Sequence, residues 1–177
     1  PVIAKSIFSR LKKTDTRFAI NYQRNWDAGY TKIINWVQRN TLTDVYCRSS
    51  TAIAQSGSHM IELIFRLFPN AEMRYCRSLE SKRLIGREVQ EPGAVILFTA
   101  NETQIFANFD SSLPNEFIFS GIIYSTTGCL SFDEGEGLVR ISAKQKGNKR
   151  IGSEIIFYND PEIFYQWKNE EWLYGCY

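Results

Sequence analysis

The strongest constraint in this sequence is a run of short strand-like segments, separated by turn-forming residues, that begins near Leu84. Its members are Leu84–Gln90, Ala94–Ala100, Thr103–Asp110, Glu116–Thr127, Cys129–Phe132, Leu138–Gln145 and Glu154–Asn159. Between them, Glu91-Pro92-Gly93, Asn101-Glu102, Ser111–Asn115, Asp133–Gly137 and Lys146–Gly152 supply the Gly, Pro and Asn that tight reversals require. Such short intervals join antiparallel neighbours, because a parallel crossover takes a dozen or more residues. The pattern predicts a mostly antiparallel β meander or barrel-like sheet from about residue 84.

The chain before Leu84 reads as mixed helix and strand. Ile3, Ile7, Phe8 and Leu11 recur at helical spacing among Lys5, Arg10, Lys12 and Lys13, a short basic amphipathic helix over Ala4–Lys13. Phe18, Ile20 and Tyr22 share one face of a strand over Arg17–Gln23. Trp26, Tyr30, Ile33, Ile34 and Val37 then mark a helix over about Asn25–Arg39, with Asn25 or Asp27 as its cap. Thr43–Arg48 reads as a strand. His59–Phe68 is open between the two: Met60, Ile64, Leu67 and Phe68 fit a helix, while Ile61, Leu63, Phe65 and Leu67 alternate. We favour a strand that turns at Pro69-Asn70 into Glu72–Cys76 as a hairpin. After Asp160 the cap residue, Pro161 and Glu162 spell the start of a closing C-terminal helix that Gly175 would end.

The expected fold class is therefore α+β: N-terminal helix and strand elements, the sheet from residue 84, and a closing helix. A chain of 177 residues suits one domain, 1–177, with a core of its own. One motif offers another division. Gly57-Ser58-His59-Met60 matches the remnant left beside expression tags, and if it is an engineered junction the chain divides into 1–56 and 60–177.

Composition excludes more than it assigns. An apolar share of 44% and a charged share of 23% are those of a globular protein, not a disordered one. Twelve Phe, nine Tyr and four Trp serve a strand-rich core or an interface equally well. The longest apolar run, Ala94–Phe98, is far short of the roughly 20 residues a membrane helix needs, and the N-terminus lacks the pattern of a secretory signal. Cys47, Cys76, Cys129 and Cys176 form no C-x-x-C pair and have no histidine at ligand spacing, which argues against zinc and for small buried thiols in a reducing, cytoplasmic setting.

Familiar catalytic patterns are missing. His59 is the only histidine, so a multi-histidine metal site or a histidine-based triad has one contributor at most. There is no G-x-S-x-G elbow and no G-x-x-x-x-G-K-[ST] loop, and Gly135-Glu136-Gly137 lacks the third glycine of a dinucleotide fingerprint. Asp133, followed by the segment Val139–Lys144, resembles the acidic and lysine pattern of a metal-dependent nuclease, but Ser142 stands where the second carboxylate is needed. An acidic hairpin tip is the simpler reading, and it lacks the spacing of a calcium loop. No cofactor and no metal are expected.

Charge then directs attention to partners. Residues 1–56 carry nine basic groups against three acidic ones, a balance of +6 that leaves −4 for the remainder. Arg10, Lys12, Lys13, Arg17 and Arg24 lie among Phe18, Tyr22, Trp26 and Tyr30, and a second basic group, Lys144, Lys146, Lys149 and Arg150, surrounds a strand turn. These are the candidate contacts to nucleic acid or to an acidic partner, by phosphate pairing and ring stacking. The leading functional expectation is a non-enzymatic structural or protein-interaction subunit, such as a component of a viral or phage particle, working as a homo-oligomer or with a protein partner. Nucleic-acid binding is the alternative, and metal-dependent cleavage the third.

Overall fold

A computed structural model describes residues 9–10, 13, 24, 27–51, 53, 57–79, 84–85, 89–90, 93–110, 119–145 and 158–167. Two helices of eight or more residues lie among them, α1 (Ala28–Gln38) and α2 (Ser58–Leu67). Ten strands accompany them: β1 (Leu42–Ser49), β2 (Glu72–Leu79), β3 (Leu84–Ile85), β4 (Val89–Gln90), β5 (Gly93–Ala100), β6 (Thr103–Phe109), β7 (Phe119–Ser125), β8 (Gly128–Asp133), β9 (Leu138–Ala143) and β10 (Glu162–Gln166).

Eight of these strands form one mixed sheet in the order β10-β9-β8-β7-β1-β6-β5-β2, while β3 and β4 pair only with each other. β1 is central, parallel to β6 on one side and antiparallel to β7 on the other. The parallel pair follows from chain path. α2 and the β2–β5 pair intervene between β1 and β6, which supplies the long crossover a parallel neighbour requires.

Among the described residues, both helices pack on one face of the sheet. Val45, Cys47, Ile96, Phe98, Ile105, Phe109, Phe119, Ile123, Leu130, Phe132 and Val139 point from it into the core, where Tyr30, Ile33, Ile34 and Val37 of α1 and Met60, Leu63, Ile64 and Leu67 of α2 meet them. Each such side chain contributes roughly 1.5–3 kcal/mol by leaving water. α1 starts where Asp27 Oδ1 accepts from the Tyr30 N–H at 2.9 Å, and ends where the Asn40 side chain donates to the Trp36 carbonyl at 2.7 Å. The β5–β6 hairpin reverses at Asn101, whose φ of 54° lies in the left-handed region that asparagine tolerates well.

Several expectations are corrected. The sheet does not begin as a meander at residue 84: β1 and β2 are woven into it, with β1 at its centre. Leu84–Gln90 is two short strands of a separate pair rather than one strand of the sheet. His59–Phe68 is helical, because Met60, Leu63, Ile64 and Leu67 make a stripe that seats on the sheet, whereas a strand would have buried only alternate residues. The closing helix does not start at Asp160 as expected, and residues 168–177 lie outside the described residues. Glu162–Gln166 is β10, paired antiparallel with β9, since the run Ile163-Phe164-Tyr165 favours extended backbone more strongly than Asp160-Pro161-Glu162 favours a helix start. The expected helix over Ala4–Lys13 falls outside the described residues except at Ser9, Arg10 and Lys13, as does the strand over Arg17–Gln23. Of Glu154–Asn159 only Tyr158 and Asn159 are described, Tyr158 bridging Lys144 beyond the end of β9.

Candidate functional site

The most concentrated chemistry lies where the start of α1 meets the turn after β8. Glu134, buried in that turn, accepts Arg24 Nε at 2.6 Å and Arg24 Nη2 at 2.9 Å. It also accepts the Tyr30 hydroxyl, and the Phe119 N–H at 2.9 Å. The Arg24 guanidinium lies 3.9 Å from the centre of the Phe119 ring. Burial pushes the Glu134 carboxyl above its ordinary value, opposed by the bonds from Arg24, Tyr30 and Phe119. Burial also acts to lower the Arg24 guanidinium, but the bond and charge of Glu134 more than restore it, so it stays charged. Tyr30, fully buried beside that carboxylate, is held well above its usual range by burial first and by Glu134 second.

A second clasp holds the same helix start. Asp27 Oδ1, already capping α1, also accepts the Trp167 indole N–H at 2.8 Å. The Trp167 ring tilts against Tyr30 at 5.7 Å. Gly29 is what permits this approach, since a Cβ there would lie 2.5 Å from the indole. β8, β10 and α1 are thereby locked into one arrangement.

His59 stands next to this group, close enough for the Arg24 charge to act on it. It is the second residue of α2, half-buried, at a helix start where backbone N–H groups disfavour a cation. Its imidazole is pulled below its ordinary value by burial first and by Arg24 second, with Glu62 acting the other way. A neutral imidazole at neutral pH can take a proton from a substrate hydroxyl. An open hollow of about 570 Å³ runs along the outer side of α2 from Ser58 past Ile61 and Glu62 to Phe65 and Arg66.

The sequence-predicted contacts are dispersed. Arg24 is turned inward onto Glu134 and is not offered to phosphate. Arg10 and Lys13 are exposed. Lys144 extends β9, its N–H donating to the Thr127 carbonyl at 2.8 Å. Lys12, Arg17, Lys146, Lys149 and Arg150 lie outside the described residues. The acidic tip is also not what the sequence suggested. Glu134 is buried, Asp133 Oδ1 accepts the Glu136 N–H at 3.0 Å, and Glu136 pairs with Arg140 at 2.6 Å. Among the described residues no three His, Cys, Asp or Glu side chains are grouped as metal ligands require. Cys47 is buried and its thiol is pushed up to about 12 by burial, but Cys76 is exposed, against the expectation that every cysteine is a small buried side chain.

The fold is shared with several solved structures. Over 97% of its length the chain superposes on the super-repressor mutant of Gal80p from Saccharomyces cerevisiae, with 10% identity, a TM-score of 0.66 and 52% of that chain covered. KijD10, a 3-ketoreductase from Actinomadura kijaniata solved in complex with NADP, matches 97% of this chain and 54% of its own, with 10% identity and a TM-score of 0.65. UDP-N-acetylglucosamine 3-dehydrogenase from Acidithiobacillus ferrooxidans matches 96% of this chain and 54% of its own, at 13% identity and a TM-score of 0.58. The chain thus spans about half the length of each of these structures. No family model and no curated protein matches it.

These likenesses overturn the expectation of a structural subunit of a virus or phage particle, and with it the nucleic-acid-binding and nuclease alternatives. The eight-stranded sheet is the fold shared with these structures, and Arg24, a member of the expected contact set, is paired with Glu134. Among the described residues no helix is long and apolar enough to cross a membrane.

Proposed function

We propose that this chain forms the substrate-facing part of an NAD(P)-dependent oxidoreductase that interconverts a hydroxyl and a ketone on a sugar or nucleotide sugar. The observation that carries this reading is the match of 97% of the chain to a 3-ketoreductase solved with NADP. The likeness to a UDP-N-acetylglucosamine 3-dehydrogenase supports the substrate class.

The described residues do not fit a dinucleotide themselves. Their sheet is antiparallel but for one pair, and nowhere in the sequence does a G-x-G-x-x-G turn link strand to helix, so no phosphate cradle of that kind is available. The reading therefore assigns this chain only the proton chemistry and the orientation of the substrate. His59 accepts the hydroxyl proton as the alcohol is oxidised and returns it to the carbonyl oxygen in the reverse direction. The Arg24–Glu134–Tyr30 group fixes the ground on which α1 and α2 stand and keeps a positive charge near the imidazole. A cytoplasmic setting, in which Cys47, Cys76 and Cys129 remain free thiols, and a protein partner or second copy belong to the same reading.

The sole histidine makes the test direct. The imidazole resonances of His59 are followed while the protein is titrated with UDP-N-acetylglucosamine, a TDP-sugar and free hexoses. A saturable shift with at least one of them is expected, and the absence of any shift would overturn the assignment.

A further inference from the structure

α1 and α2 run in the same direction. The segment leading into α1 reaches the start of α2, where Arg24 acts on His59. The two helices meet again at their other ends, where Val37 and Gln38 of α1 and Leu67 of α2 line one hollow of about 450 Å³. That size falls within the roughly 300–1,000 Å³ of small-molecule sites. Eight residues of helix separate Leu67 from His59, about 12 Å, so this hollow lies at the opposite end of the helix layer from the imidazole. Each helix carries about half a negative charge at its C-terminal end. Antiparallel helices offset one another's ends, whereas here the two negative ends add.

The hollow has an apolar floor and an acidic rim. Val37, Leu67, Phe68 and Ala100 are buried beneath it. Glu102, exposed at the β5–β6 turn, is the one residue of the described lining with a formal charge. The amides of Gln38, Asn70 and Asn101 add oxygens able to accept hydrogen bonds. Asn40 is already engaged, its side chain donating to the Trp36 carbonyl and accepting from the Thr127 hydroxyl. The cation that often balances a helix end is missing from this side. No basic residue stands in the last turn of α1, and its cap residue Arg39 is exposed and outside the lining. Arg66, in the last turn of α2, lines the separate hollow on the outer side of that helix.

We infer that this hollow binds a primary ammonium carried on an aliphatic stem. The stem lies on Val37, Leu67 and Phe68, and the ammonium sits between Glu102 and the two helix ends. An ammonium offers three donors and no acceptor, which suits a rim of carboxylate, amide and main-chain carbonyl oxygens. An anion of the same shape meets like charge from all three sides. Two sources carry this chemistry, a free alkylamine and the side chain of a lysine on another protein.

Backbone amide resonances followed by NMR during titration with n-butylammonium chloride, n-butanol and sodium butyrate, at constant ionic strength, decide the matter. Saturable shifts at Asn70, Asn101 and Glu102 are expected with the ammonium, with butanol at least fivefold weaker and butyrate without effect. Glu102→Gln is expected to weaken the ammonium at least threefold. Gln38→Lys, which supplies a cation of the chain's own at the end of α1, is expected to do the same. Both positions are exposed, so the fold is kept, and far-UV circular dichroism checks that. Nα-acetyl-lysine methylamide separates the two sources: binding at least as tight as that of butylammonium assigns the hollow to a partner's lysine, and weaker binding assigns it to a free amine. No saturable shift with butylammonium, equal affinity for butanol, or an affinity that Glu102→Gln leaves unaltered overturns the inference.

Discussion

Arg24 and Glu134, separated by 110 residues of sequence, are joined by two hydrogen bonds of 2.6 and 2.9 Å in a pocket that Tyr30 and Phe119 close. This pair ties the segment that leads into α1 to the turn between β8 and β9. Removing one member leaves the other charge buried without its counterpart, which is costlier than never having had the pair. Arg24→Ala or Glu134→Ala is therefore expected to destabilise the protein by about 3–5 kcal/mol, whereas a double replacement by Met and Leu is expected to lose much less. Urea unfolding of the three variants checks this, and equal losses in single and double variants would show that the pair is not the source.

Gly29 gives an independent measure of the same corner. A methyl group there must displace the Trp167 indole, which would sit 2.5 Å from it. Gly29→Ala is expected to cost about 1–3 kcal/mol despite the better helix propensity of alanine. Trp167→Phe, which removes the bond to Asp27 but opens space, is expected to recover part of that loss when combined with it. Thermal unfolding of the single and double variants reads the coupling.

The helix that Gly29 belongs to was legible in sequence, and so was its cap. Tyr30, Ile33, Ile34 and Val37 announce a buried stripe, and Asp27 stands where a carboxylate is needed. The segments that became β5, β6, β8 and β9 were equally readable, because their turns are short and their apolar residues dense. Two segments were misread for one reason: local signals competed and a distant neighbour decided. His59–Phe68 carried both periods, and the sheet beneath it selected the helix that buries Leu63 as well as Met60, Ile64 and Leu67. Asp160-Pro161-Glu162 has the chemistry of a helix start, yet pairing with β9 draws the chain into β10. The central place of β1 and the partnership of Arg24 with Glu134 rest on contacts across 60 residues or more, and no local pattern carries those. Sequence drew attention to Arg24 as a charge among aromatic residues and to His59 as the single histidine, but not to the buried carboxylate that Arg24 and Tyr30 share.

His59 also gives a pH dependence with a definite sign. Its folded value lies below the ordinary 6.5, so protonation favours the unfolded chain. The contribution to stability is fully present above pH 6.5 and is lost as pH falls through the lower, folded value. An NMR titration of the imidazole is expected to give a midpoint below 6.5 that rises in an Arg24→Gln variant, because a nearby positive charge has been removed. A midpoint at or above 6.5 in the wild type contradicts this account of its surroundings.

Thiol chemistry separates the exposed and buried cysteines. Cys76 is exposed on β2, while Cys47, with its thiol pushed up to about 12, faces the core from β1. Under native conditions a disulfide reagent is expected to modify Cys76 promptly and Cys47 only on unfolding. Mass spectrometry of peptides from the reacted protein distinguishes the two, and fast native labelling of Cys47 would place β1 at the edge of the sheet instead of its centre.

The central claim, that His59 moves the proton in an alcohol–ketone interconversion, is tested most directly by turnover of the intact protein that carries this chain. Nicotinamide absorbance at 340 nm is followed with nucleotide sugars and free sugars as substrates, for the wild type and for His59→Asn. The account predicts turnover with at least one sugar and a fall of about 100-fold or more in kcat for the variant, with nicotinamide binding unchanged. A His59→Asn protein that turns over as fast as the wild type, or a wild type inert towards every sugar tried, would contradict it.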